Sequence, residues 1–258
     1  MNIVVCVKQV PDTTAEKKLD ANNRLDRKSV ENILNPFDEY AVEEALRLKE
    51  KHGGTVTALC VGPESAKEAI RKAVAMGVDK GALVSDAAMA GSDALATAYV
   101  LSQALKKVEH DIIIFGMQST DALTAIVPAA VSQFLGIPHH GYTNKITVGD
   151  GEVACNRASD AGYDVVVSKL PAAVSVTKAI NEPRYASLRG IMQSRKAEIT
   201  TFSLADLGVD PSTVGAGAAQ TKVLSYIKPA PRQAGTVVKD DGQAAVQVAE
   251  FLVLRKII

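Results

Sequence analysis

DIIIFGMQSTDALTA, residues 111–125, is an apolar run that ends in a glycine and opens into a polar loop. Four consecutive large apolar side chains, Ile112 to Phe115, leave no polar face, so the run reads as a strand covered on both sides. Ile3 to Val7 and Thr55 to Val61 repeat the pattern. Helical patterns follow Thr55 to Val61 and the strand Asp111 to Phe115, and helices fit Glu64 to Met76, Asp93 to Val108, and about Thr120 to Leu135. Buried strands alternating with amphipathic helices predict an α/β fold, a parallel sheet with flanking helices on both faces.

Between the first two strands lies a long polar connection, Pro11 to Glu31, and then a well-signalled helix start. Asn35 is placed to cap it and Pro36 suits the first turn. Asp38 and Glu39 complement its positive end, and Ala41, Val42, Ala45 and Leu46 form its apolar stripe. After Pro138 the periodicity changes. Thr143 to Val148 and Glu152 to Arg157, joined by Gly149-Asp150-Gly151, read as a hairpin, followed by Tyr163 to Lys169 and Ala172 to Thr177: an added antiparallel β segment. Beyond a Gly/Ala/Ser-rich stretch and KPAPRQAGTVVKDDGQ, a last apolar helix spans Ala244 to Leu254. This composition predicts a main domain over 1–225 and a C-terminal arm over 226–258. The arm's helix either packs on its own domain or docks on another subunit.

Bulk properties exclude several classes of function. With 29 basic and 29 acidic side chains in 258 residues, there is no global charge to attract nucleic acid or anionic lipid. No apolar run approaches the roughly 18 residues of a membrane span, and no basic leader with a cleavage site precedes the first strand. Cys6, Cys60 and Cys155 are odd in number and share no CxxC spacing, so the thiols read as small hydrophobes of a reducing compartment, the cytoplasm. His52, His110, His139 and His140 read as surface loop residues without zinc spacing. Asp160 beside Arg157 reads as a local ion pair in a turn.

Open parallel sheets bind ligands where strand ends run into helix N-termini. Three such ends are candidates: Cys6-Val7-Lys8, Val61-Gly62-Pro63, and Gly116 to Ala125. In the third, Gly116 permits close backbone approach, and Gln118, Ser119, Thr120 and Asp121 offer polar groups. Neither GxGxxG nor GxxxxGK[ST] is present, and GxSxG and HExxH are absent as well. From these residues the third loop reads either as a nucleotide site or as ordinary helix capping, and no pattern of residues points to covalent catalysis by the chain itself.

A second feature stands apart. NEPRYASLRGIM, residues 181–192, lies in a segment, Lys178 to Lys196, that carries five basic residues against one acid. Glu182 and Arg184 can pair locally, and Leu188, Ile191 and Met192 at helical spacing can be core. A proline-stiffened loop with an aromatic, an arginine fork and flexible apolar side chains also has the composition of a partner-binding patch, steered by its charge.

Across VCVKQVPDT (5–13), NPFDEYAVEEALRLKEK (35–51), AMGVDK (75–80), IIIFGMQSTD (112–121) and LPAAVSVTKAINEPRYASLRGIM (170–192), the chain resembles the β subunit of electron transfer flavoprotein. The resemblance implies a Rossmann-like, adenine-nucleotide-binding α/β domain. It also implies a heterodimer whose α subunit holds most of a redox-active FAD while this subunit buries AMP. Carried over by position, nucleotide contacts fall on Cys6, Asn35, Pro36, Phe37, Asp38, Val61, Gly116, Met117, Gln118, Ser119, Thr120, Asp121, Ala122, Leu123, Thr124, Ala125, Ile126 and Val127. The basic segment, about 178–192, matches the family's recognition loop. Leu188 stands in the place of the leucine that anchors in flavin dehydrogenases, and Glu182, Arg184, Tyr185, Arg189 and Met192 lie around it. The implied acceptor is an ETF:quinone oxidoreductase or a comparable partner, and the C-terminal segment resembles the arm that embraces the α subunit.

The chain departs from the family pattern in the second half of the phosphate loop, where Ala122, Leu123, Ala125, Ile126 and Val127 replace polar residues. Phosphate contacts are left to backbone amides and Thr124. Thr13 stands where some relatives place a Tyr near the flavin, and Phe37 keeps an aromatic position. A small residue after Pro-Asp also occurs in relatives that bind a second FAD in place of AMP and bifurcate electrons, but their Gly-Asp-Thr after the loop aspartate is Ala122-Leu123-Thr124 here. AMP is therefore the expected ligand. A stand-alone nucleotide-activating enzyme is the alternative of another class.

Overall fold

β1 (Asn2–Val7) lies inside the sheet because Ile3 to Val7 alternate between two apolar layers and are all buried. In a computed structural model describing residues 1–232 and 234–258, the chain continues through β2 (Gln9–Pro11), β3 (Asn32–Leu34), α1 (Pro36–His52) and β4 (Thr55–Val61). Next come α2 (Lys67–Met76), β5 (Lys80–Val84), α3 (Ala94–Leu105), β6 (Ile112–Gly116) and α4 (Val127–Leu135). There follow β7 (His139–Gly149), β8 (Glu152–Ser159), β9 (Gly162–Lys169), β10 (Ala172–Val176), α5 (Leu188–Ser194), β11 (Ile199–Phe202), α6 (Gly215–Ala218) and α7 (Ala244–Leu254). Met1–Val223 and Leu224–Ile258 are separate compact units.

The main sheet of the first unit has the order β11-β5-β4-β1-β6-β10-β7-β8-β9. Pairing is parallel from β11 to β7 and antiparallel between β7, β8 and β9. Ile3, Val5 and Val7 pack with the stripes of α1 and α2, among them Ala41, Val42, Ala45, Ile70 and Ala73. Val4 and Cys6 point the other way, to Ala98, Leu101 and Leu105 of α3 and Val131 of α4. Both faces are thus covered, as the continuous apolar strands require.

β10 corrects the expected antiparallel grouping. Its five residues are all buried and it pairs in parallel with β6 and β7, so it belongs to the central sheet. Only β8 and β9 extend the sheet antiparallel beyond β7. The turn joining β7 to β8 has Asp150 at φ 52° and Gly151 at φ 76°, the paired positive values that match the twist of a tight hairpin. β5 and β11 carry weak strand signals in the sequence: β5 opens on an exposed Lys80 and on Gly81, and the two central threonines of β11 are exposed. β11 lies at the sheet edge, and β5 is held between β4 and β11.

The histidines need a second correction. His139 and His140 begin β7, and His140 is buried with Nε2 2.7 Å from the Ser168 hydroxyl. Burial lowers the pKa of both rings. Arg157 lies within β8 opposite Asp164, away from the expected turn pair with Asp160.

In the second unit, α7 leaves Val246, Phe251, Val253 and Leu254 exposed, and the Arg255 guanidinium lies 5.3 Å from the centre of the Phe251 ring. Among the described residues no helix is long and apolar enough to cross a membrane, and no group of three or more His, Cys, Asp or Glu is arranged to hold a metal.

Candidate functional site

From β1 the chain runs outward to β4 and β5, then returns to the other side of β1 as β6. β1 and β6 therefore flank a topological switch point, the place where open parallel sheets bind ligands at their C-terminal ends. Lys8 follows β1 there, and Gly116 ends β6.

The N-terminus of α1 lies across this point. A Cβ on Gly116 would sit 2.5 Å from Asp38 Oδ1 and 2.7 Å from the main chain of Phe37. The close approach that Gly116 allows is thus to α1, not to an open ligand cradle as the sequence suggested. Asn35 also departs from its expected capping role, because its side chain makes no cap bond to α1. Instead Asn35 Nδ2 donates to Asp38 Oδ1 at 2.8 Å and to the Gln118 carbonyl at 2.9 Å, and Asn35 Oδ1 accepts from the Thr120 main-chain N–H at 3.1 Å. One buried amide joins the helix start to the loop after β6.

Asp38 extends the joint to β1, since its Oδ2 accepts the Lys8 main-chain N–H at 2.8 Å. Burial is the largest influence on this carboxyl and is only partly offset by the Asn35 and Lys8 hydrogen bonds, so its pKa is pushed up to about 7. Asp121 has the opposite balance. Its side chain is 1% exposed, with Lys8 Nζ 2.9 Å away and the Arg27 guanidinium on its other oxygen. Burial alone would raise its pKa, but the Lys8 charge and the hydrogen bonds from Lys8, Ser119 and Arg27 outweigh burial and hold it well below the usual range.

The loop's first half is therefore fastened down, and the polar connection before β3 takes part in the fastening. Arg27 reaches Asp121, and Lys17 Nζ donates to the Thr120 carbonyl at 3.0 Å. Sequence reading passed over both residues, whose one signal is the density of cations between Lys17 and Lys28.

The second half differs from expectation. The helix predicted from about Thr120 begins only at Val127, because Leu123 at φ 54° and Ala125 at φ 51° are left-handed and interrupt any helical run. Ala122, Leu123, Thr124 and Ile126 are exposed, while Met117, Ser119, Ala125 and Val127 are partly covered. Cys6 lies in β1 and is buried, and Val61 ends β4 and is partly buried. Burial raises the Cys6 thiol pKa well above its ordinary value, which leaves it unreactive.

A nucleotide fits this chemistry. Thr120 Oγ1 and Arg27 Nη1 are enclosed and have no hydrogen-bond partner among the described residues. Both are suited to phosphate or ribose oxygens.

The segment 178–192 forms a second site. Asn181 Nδ2 donates to the Tyr40 carbonyl at 3.0 Å and to Glu44 Oε2 at 3.1 Å. Arg184 does not pair with Glu182. It bonds Glu43 through Nε at 2.7 Å and Glu50 through Nη1 at 2.6 Å. Ser187 Oγ accepts from Gly190 N at 3.0 Å and so starts α5. Gly190 lies against α2 so closely that a Cβ would fall 2.2 Å from the Ala75 carbonyl oxygen. Between these fastenings Tyr185 is 97% exposed and Leu188 83% exposed, with Arg189 and Met192 also exposed. Leu188, Ile191 and Met192 are thus surface residues, which removes the core reading of that spacing.

A protein-family model described as "Electron transfer flavoprotein domain" matches residues 23–207. The chain belongs to the electron transfer flavoprotein family. It is 42% identical to "Electron transfer flavoprotein subunit beta" of Mycobacterium tuberculosis strain H37Rv, covering 100% of this chain and 99% of the relative. It is 40% identical to the subunit of that name from Megasphaera elsdenii, with full coverage of both chains. It is also 36% identical to "Caffeyl-CoA reductase-Etf complex subunit CarD" of Acetobacterium woodii, over 98% of this chain and 97% of the relative. Electron transfer flavoprotein membership at this coverage implies a β-subunit role in electron transfer, a flavin, and an α-subunit partner.

Proposed function

We propose that this chain is the β half of a cytoplasmic heterodimer that takes electrons from flavin dehydrogenases of the acyl-CoA type and passes them to a quinone reductase or comparable acceptor. FAD, held mainly by the α partner, supplies the one-electron chemistry when bound; this chain contributes orientation and electrostatics. AMP at the β1/β6 switch point is a structural ligand that stabilises the fold by mass action. The observation that carries this reading is the fastened loop, in which Asn35, Asp38, Lys8 and Asp121 hold the Gln118 to Asp121 backbone still while Thr120 Oγ1 and Arg27 Nη1 keep unused hydrogen-bonding capacity.

Two apolar surfaces suit the α partner, each taken by itself. Edge strand β9 exposes Tyr163, Val165 and Val167 on one face, and α7 exposes Phe251 and Leu254. Unpaired edges and bare apolar helices are liabilities that a permanent partner removes. Tyr185 and Leu188 are the donor-facing anchors.

The test is to co-express the chain with its α partner, denature the purified pair and identify the released small molecules by mass. One FAD and one AMP per heterodimer are expected. Two FAD and no AMP would replace this reading with a bifurcating one, favoured by the small Thr13 after Pro11-Asp12. Nucleotide turnover by the isolated chain would instead make it an enzyme in its own right.

A further inference from the structure

The donor-facing turn has no sheet or disulfide to hold it; its C-terminal end rests on α2 through Gly190, and its N-terminal end is fixed by one face of α1. Tyr40, Glu43, Glu44, Arg47 and Glu50 recur at helical spacing, and each of them meets the segment Asn181 to Arg184 or a residue bound to it. Glu43 is at the centre. Its side chain is only 3% exposed, yet both its oxygens are engaged by guanidinium groups. Oε2 accepts the Arg184 main-chain N–H at 3.2 Å and Nε at 2.7 Å, and Oε1 accepts Arg184 Nη2 at 3.2 Å and Arg47 Nε at 2.7 Å. Burial alone would raise the pKa of this carboxyl, but the Arg184 and Arg47 hydrogen bonds outweigh it and hold it below the ordinary value.

Such a bond set fixes both the backbone and the side chain of Arg184, the residue directly before Tyr185 and four before Leu188. A buried carboxylate that binds a guanidinium in two places and a main-chain N–H in a third leaves the following backbone little orientational freedom. We propose that Glu43 is a positioning residue for docking of the electron donor, holding the turn at Arg184 so that Tyr185 and Leu188 are presented to the dehydrogenase already ordered. Pre-ordering matters because a loop that must be immobilised on binding loses affinity to the entropy of that ordering. The segment's basic charge is correspondingly smaller at its surface than in its sequence, since Arg184 is neutralised by α1. This inference rests on the donor-docking reading of residues 178–192.

The experiment uses the heterodimer with its α partner, an acyl-CoA dehydrogenase reduced by its acyl-CoA as donor, and dithionite reduction of the flavin as a donor-independent control. Leu188→Ala tests the docking reading itself. In Glu43→Gln the KM for the heterodimer is expected to rise about tenfold, as when one member of a buried charge pair is lost. kcat should stay within about twofold, with flavin content and dithionite reduction unchanged. Trypsin cleavage after Arg184 and Arg189 should accelerate, and Glu43→Asp should recover part of the KM. Glu50→Gln, at the exposed end of the same arginine, should shift KM in the same direction by about twofold to fourfold; it decides the matter if Glu43→Gln does not fold. An unchanged KM in these variants, with KM raised in Leu188→Ala, overturns the role of Glu43 alone. An unchanged KM in all of them overturns the docking reading as well. Flavin loss with KM and kcat moving together would make Glu43 merely structural and also overturn the proposal.

Discussion

Asn35 Oδ1 accepts the main-chain N–H of Thr120 at 3.1 Å, so a residue at the head of α1 holds a loop 85 positions away. The same amide donates to the Gln118 carbonyl and to Asp38. Asn35→Ala would strand one donor and two acceptors in a buried setting, each of which costs about 1–3 kcal/mol when left unpaired. The expected outcome is a loss of about 3 kcal/mol in urea denaturation together with loss of the adenine nucleotide proposed to bind there. Retained nucleotide in a destabilised protein would detach this network from ligand binding.

Asp38 gives the fold a pH dependence with a definite sign. An unfolded aspartate titrates near 3.9, whereas the buried one is pushed up to about 7. Between these values the native state keeps a proton that the unfolded chain has released, so the contribution of Asp38 to stability declines as pH rises from about 4 to about 7 and is level above that. His139 and His140, with pKa lowered by burial, act in the opposite sense below about 6.5. Asp121, with pKa lowered, adds stability that is lost only as pH falls below about 4. Asp38→Asn removes the first effect and keeps the others. The variant should gain about 2–3 kcal/mol relative to the parent on going from pH 5 to pH 8, measured by thermal melts at the two pH values. Parallel profiles for the two proteins would exclude Asp38 as the source.

Gly116 is a packing glycine, and its replacement separates packing from ligand approach. In Gly116→Ala the new methyl meets Asp38 Oδ1 and the main chain of Phe37, which cannot move aside as a flexible side chain can. Overpacking of this kind costs about 1–3 kcal/mol. The control is Gly149→Ala, where nothing lies within 4 Å and the change should stay within about 0.5 kcal/mol. Equal denaturation midpoints for both variants would mean that α1 gives way at its N-terminus.

The central strands could be read from sequence because complete burial leaves a continuous apolar signature; β4 begins and ends where Thr55 to Val61 predicted. The candidate site was legible as a list of strand ends, but not as a set of contacts. Asn35 looks like a helix cap by every local rule, and only the tertiary fold reveals that it serves Gln118 and Thr120. Helix α4 was misplaced because Leu123 and Ala125 have ordinary helix formers' identities, and nothing local marks them as left-handed. The surplus of cations in 178–192 was visible, whereas its partial neutralisation was not. Glu43 and Glu50 lie more than a hundred residues earlier and meet Arg184 only once α1 has packed.

Arg189 permits a test of the charge that remains at the surface of that segment. It is exposed, it is adjacent to Leu188, and it makes no ion pair among the described residues. A charge at the rim of an interface acts mainly on the association rate and is screened by salt, because the Debye length shrinks from about 10 Å at 0.1 M to about 3 Å at 1 M. In Arg189→Glu, the second-order rate of flavin reduction by an acyl-CoA dehydrogenase should fall about tenfold at low ionic strength and converge with the parent rate near 0.5 M salt. Stopped-flow reduction across a salt series measures both limbs. A deficit that persists undiminished at high salt would mean that Arg189 makes a direct, desolvated contact with the donor, and steering would then have to be assigned to Lys178, Arg195 and Lys196.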